Sequence, residues 1–128
     1  MGTRSRIALQ TAAGTLRSIF SQWDGYPSHH GPILLRYFDT PDKISALLDL
    51  GDIPTLQKSV DDCTPYGTGT GDDAATITHP DLTDLDRCAT DCNAEYIYLF
   101  TDGRWQVCEP GGRWQDLYLA YITERLTT

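Results

Sequence analysis

The sequence predicts an α+β fold, an antiparallel sheet built from two β-hairpins and packed against about three helices. Three observations carry that prediction. Two pairs of strand-like stretches close on glycine-containing turns, three stretches carry helix signals, and 128 residues with 40 % hydrophobic content suffice for one core. The whole chain, 1–128, is therefore expected to form one domain.

The first hairpin pairs Ser5–Gln10 with Leu16–Trp23. Ile7 and Leu9 share one face of the first strand, with Arg4, Arg6 and Gln10 on the other. Ala12-Ala13-Gly14 supplies the turn. The return strand is apolar on both faces, which places it inside the sheet. Asp24-Gly25-Tyr26-Pro27 interrupts the ladder, and a first helix is expected from Gly31-Pro32, burying Ile33, Leu34 and Tyr37.

A second helix is signalled by Thr40 as N-cap, Pro41 behind it and Gly51 past its end. Residues 61–80, with Pro65, Gly67, Gly69, Gly71 and Asp72-Asp73, read as a mobile, acidic, glycine-rich loop. Leu82 and Leu85 anchor a short turn after it. The second hairpin, Tyr96–Phe100 and Arg104–Cys108, closes on Asp102-Gly103, the dipeptide that favours a type I′ turn. That register sets Phe100 opposite Trp105 and Tyr98 opposite Val107. Both hairpin faces are then apolar, one for helices and the other for an oligomer contact or a ligand wall, and a homo-oligomer is expected. Asp116–Leu126 completes the fold as a helix.

The net charge of −8 is unevenly spread. Residues 1–38 hold four arginines against Asp24, for +3, while 39–95 hold thirteen acids against Lys43, Lys58 and Arg87, for −10. So acidic a chain is not expected to grip duplex nucleic acid directly. No apolar run approaches the roughly 18–20 residues that span a bilayer, and no signal-peptide stretch follows Met1, so neither membrane insertion nor secretion is expected.

Catalytic motifs are thin. Gly67-Thr-Gly-Thr-Gly71 lacks the Lys-Ser/Thr of a phosphate loop, and Ser18, Ser21 and Ser28 show no recognisable base partner. Cys88 and Cys92, with His79 substituting for an absent second pair, give an incomplete zinc pattern, so no metal or cofactor is assigned. Without a secretion signal the four cysteines are expected as reduced thiols. His29-His30 reads as two exposed loop histidines, with a general base as the alternative.

The most informative cluster is Trp23-Asp24-Gly25-Tyr26-Pro27 with Arg4, Arg6, His29, His30 and Gly31. A helix start offers unpaired N–H groups to an anion, Arg4 and Arg6 offer guanidinium donors to a phosphate, and Trp23 and Tyr26 offer stacking to a base. The plainer alternative is a packed corner in which the two rings plug the core and Asp24 caps the turn.

Thr3-Arg-Ser-Arg-Ile7, Gly14-Thr-Leu-Arg-Ser-Ile-Phe20, Trp23-Asp-Gly-Tyr-Pro27 and Gly31-Pro-Ile-Leu-Leu-Arg-Tyr37 together resemble a family of small phage- and prophage-encoded proteins. Ser21-Gln22 stand where similar proteins carry Cys-His, which argues against a metal there. The resemblance implies no catalytic residue. It implies a viral accessory protein in the bacterial host cytoplasm, of the kind that opposes host defence. The expected function is non-enzymatic sequestration of a phosphorylated small molecule, such as a nucleotide immune signal. The alternative is a protein-binding inhibitor whose acidic middle imitates nucleic acid and blocks a host nuclease or CRISPR effector. A small hydrolase or transferase using His29 or His30 ranks last.

Overall fold

A computed structural model describes residues 3–65 and 76–127. Among the described residues, strands β1 (Ser5–Gln10), β2 (Leu16–Trp23), β3 (Ile53–Thr55), β4 (Ile77–His79), β5 (Tyr96–Thr101), β6 (Arg104–Cys108) and β7 (Gln115–Asp116) form one sheet. The α-helices are α1 (Pro27–Tyr37), α2 (Pro41–Leu48), α3 (Leu82–Asp91) and α4 (Leu117–Thr127).

Both expected hairpins are present. Ser5 pairs with Ser21, and Phe100 with Trp105 around a turn whose Asp102 and Gly103 have φ of 53° and 79°. The purely antiparallel sheet is not. The order is β3-β2-β1-β5-β6-β7, and the hairpins join through a parallel β1–β5 pairing that sets Ser5 beside Tyr96 and Leu9 beside Phe100. A parallel neighbour needs a crossover, which residues between the hairpins supply. β3 also runs parallel to β2, after α1 and α2, while β4 pairs antiparallel with the other half of β2. The sheet is therefore mixed, and the described residues form four α-helices rather than three.

Helices lie on both faces because alternate residues of the central strands are apolar on both. Ile7, Leu9, Ile19, Tyr98, Phe100 and Trp105 pack with Leu34, Ile44, Leu47 and Leu117 of α1, α2 and α4. Ala8, Leu16, Ile97 and Leu99 face Leu85 and Ala89 of α3. The aromatic hairpin is thus covered within the chain, and the Trp105 indole donates to the Phe38 carbonyl at 2.8 Å. Ile44, Leu47 and Leu48 of α2 are fully buried, contributing about 1.5–3 kcal/mol each. The Thr40 hydroxyl caps that helix as the sequence predicts.

α1 begins at Pro27, four residues before the expected start. Pro27 fits the first helical position, where its missing N–H is not needed, and Pro32 falls inside the helix. His29 and His30 are therefore helical, not loop residues. The loop expected over 61–80 contains β4, and the turn expected at Leu82 is the ten-residue α3. Gly67, Gly69, Gly71, Asp72 and Asp73 lie outside the described residues. No helix among the described residues is long and apolar enough to cross a membrane.

Candidate functional site

The corner between β2 and α1 is held by Thr3, ahead of β1, and by Tyr98 of β5. Asp24 takes a left-handed conformation, φ 58°, which turns the chain out of β2. The Gly25 amide donates to the Thr3 carbonyl at 2.8 Å, and the buried Tyr98 hydroxyl donates to the Gly25 carbonyl at 2.6 Å. A Cβ at Gly25 would stand 2.8 Å from both the Ser5 side chain and the Thr3 carbonyl oxygen, so only glycine fits.

Beneath the corner lies His30, fully buried against the Tyr98 ring with centroids 5.2 Å apart. Its Nε2 meets Ser5 Oγ at 3.2 Å and its Nδ1 meets His29 Nδ1 at 2.9 Å. Burial, and secondarily the charge of His29, push its pKa down to about 3, against the opposing pull of a hydrogen bond with the Asp24 backbone. His30 is thus a neutral structural ring, which removes it as a general base near neutral pH. Ser21 Oγ, across the β1–β2 pair from Ser5, is buried without a hydrogen-bond partner among the described residues.

Asp24, Gly25, Tyr26, His29, His30 and Gly31 come together here, with Trp23 at the edge. Trp23 and Tyr26 are 45 % and 37 % exposed, so neither ring plugs the core. Gly31 serves packing: a Cβ there would lie 2.8 Å from Tyr121 Cβ of α4.

Two parts of the expected anion cradle are arranged otherwise. The amides at the start of α1 are already engaged, Ser28 N–H by the Glu124 carboxylate at 2.7 Å and those of His29 and His30 by the Tyr26 carbonyl at 3.0 Å. The chain's own carboxylate fills the place of a ligand anion. Arg6 lies on the opposite face of the sheet, 3 % exposed, with Nε donating to Ser18 Oγ at 2.8 Å and Nη2 to the Ser18 carbonyl at 3.2 Å. Strand alternation explains this, since the corner sits over Ser5 and its neighbour Arg6 must point away. Arg4, next to the Thr3 contact, is half-buried.

No motif in the sequence signals the network around Arg6. Ser18 Oγ lies 2.7 Å from His79 Nε2, and His79 Nδ1 lies 2.8 Å from Asp84 Oδ2. Arg87 pairs with the other Asp84 oxygen. The spacings 18, 79 and 84 carry no motif; the β2–β4 pairing and the packing of α3 against both strands bring them together. Ser18 therefore has the base partner it seemed to lack, in the order of a nucleophile, a base and an orienting acid. Both Ser18 and His79 are fully buried and Arg6 occupies the hydroxyl, so the network docks β4 and α3 onto the sheet rather than presenting a nucleophile. With both nitrogens of His79 engaged, it is not available to complete a zinc site with Cys88 and Cys92. No group of three His, Cys, Asp or Glu among the described residues is placed to hold a metal. The four cysteines are free thiols, and burial pushes the Cys108 thiol up to about 12.

Comparison with known protein families, with curated proteins and with solved structures gives no match for this chain.

Proposed function

We propose that the protein is a non-catalytic binding protein that takes the planar base of a nucleotide on its Trp23–Tyr26 corner. Its setting is that of a phage accessory protein sequestering a nucleotide signal in the bacterial host. The observation that carries this reading is a contrast. The corner's backbone is fixed by Gly25, Tyr98 and a left-handed Asp24, yet the two large rings it displays stay half in solvent. Exposed aromatics on a rigid mount offer stacking area at small entropic cost. His29, edge-on to Tyr26 at 6.1 Å, extends the aromatic surface. The phosphate does not go to the helix start, which Glu124 occupies, and Arg6 is committed to Ser18; Arg4 is left to meet it, next in the chain to Thr3, whose carbonyl accepts from the Gly25 amide.

Tryptophan fluorescence tests this in a Trp114→Phe background, which removes the half-buried third tryptophan, because Trp105 is buried and Trp23 is not. Titration with cyclic dinucleotides, ADP-ribose and ATP is expected to quench the emission, with the quench lost in Trp23→Ala and weakened in Tyr26→Ala. Arg6→Ala is expected to lower stability instead of altering the site. A panel that produces neither quenching nor a thermal shift refutes the reading.

A further inference from the structure

α3 covers only part of its face of the sheet. Beside its N-terminus lies a cavity of ≈ 490 Å³ lined by Leu16 and Leu99 of the sheet together with Leu82 and Trp114. That volume falls within the roughly 300–1,000 Å³ usual for small-molecule sites. A second lobe of ≈ 440 Å³, bordered by Asp86, Arg87 and Gly111, shares Leu82, Thr83 and Trp114 with the first. Trp114 therefore borders both compartments. The groove belongs to the hairpin end of β2, whereas the aromatic corner follows the strand's other end.

The lining sets the chemistry of an occupant. The floor is apolar and the rim carries neutral donor–acceptor groups, Gln10, Thr101 and Gln106, together with the Asp81 carboxylate. Thr101 donates to Gln10 Oε1, which leaves the Gln10 amide N–H groups for another partner. Gln106 is half-buried, and neither its amide nor the Trp114 indole N–H is hydrogen-bonded among the described residues. Among the described residues no Lys, Arg or His borders the first lobe. In the second, Arg87 is paired to Asp84, and Asp86 accepts from the Gly111 amide at 2.7 Å. Phosphate or carboxylate would meet carboxylates here with no unpaired cation to offset them.

We propose that this groove binds an uncharged, hydroxyl-rich ring ligand, a glycan of two sugar units, one in each lobe. A sugar ring has an apolar C–H face for the Trp114 indole and hydroxyls that both donate and accept, which is what paired amide and carboxylate groups read. The site is separate from the aromatic corner and does not rest on the nucleotide reading.

The test is a ¹H–¹⁵N NMR titration of the full chain with maltose, cellobiose, lactose and N,N′-diacetylchitobiose, with AMP as the charged control. At least one disaccharide is expected to move the Trp114 indole and the Gln10 and Gln106 side-chain signals while leaving the Trp23 indole in place. Gln106→Leu, a substitution at the rim, is expected to weaken binding about five- to tenfold. Trp114→Phe retains weakened binding and Trp114→Ala abolishes it. Failure of all four disaccharides to move these signals overturns the proposal. So does AMP binding in the groove as tightly as any sugar, or full affinity in Gln106→Leu and Trp114→Ala. Signals at Trp23 report on the nucleotide reading separately.

Discussion

His30 shows how a single ring sets a condition on the whole fold. In the unfolded chain it titrates near about 6.5, whereas burial in the native state holds it to about 3. Between those values the unfolded state takes up a proton that the native state refuses, so unfolding is favoured as the pH falls. The stability His30 contributes is complete above about pH 6.5. It is lost at up to about 1.4 kcal/mol per pH unit on the way down. Urea unfolding between about pH 6.5 and 4.5 is expected to show that slope, and His30→Gln to flatten it. Equal slopes in the two proteins contradict the assignment. That this residue is buried was not legible from His29-His30, because the helix start at Pro27, and not the dipeptide, turns one ring inward.

At the scale of elements, the legible parts are those with local signals. Thr40-Pro41 marks the start of α2, Asp102-Gly103 closes the second hairpin, and Gly14 stands in the turn of the first. α3 escaped because its buried residues are only Leu85 and Ala89, though Asp81 three residues before Asp84 is a cap signal in retrospect. β3 and β4, three residues each, are too short for any periodicity to speak. The aromatic corner was visible as a string of residues, but the face taken by Arg6 follows from β1 alternation read against Ser5. α3 and β4 are tied to the sheet by the Ser18–His79–Asp84 bonds, so His79→Ala empties a fully buried site and removes both bonds, leaving Ser18 to Arg6 and Asp84 to Arg87. The expected cost is about 2–4 kcal/mol by urea denaturation, with early loss of hydrogen-exchange protection in α3. Unchanged protection there argues against the docking role.

For the molecule as a whole, the decisive contact is the least local one. β1 lies at the centre of the sheet between β2 and β5, so residues 5–9 meet residues 96–100. Nothing in a short window encodes that pairing, which is why two correct hairpins still left the sheet's direction wrong. It also means the core cannot close until most of the chain is present. A fragment ending at residue 80 is expected to lack cooperative thermal unfolding by circular dichroism, although it holds the first hairpin, α1 and α2. A sharp transition in that fragment refutes the dependence.

The outer margin of β2 has one further consequence. β3 takes one half of it and β4 the other, and between them the Phe20 amide donates to the Asp52 carboxylate at 2.8 Å. At the far side of the sheet, β7 offers only two residues. Among the described residues neither border presents a long open ladder, so strand-to-strand addition by a foreign peptide or a sister chain finds little purchase there. What the described part of the sheet offers a partner is its side chains.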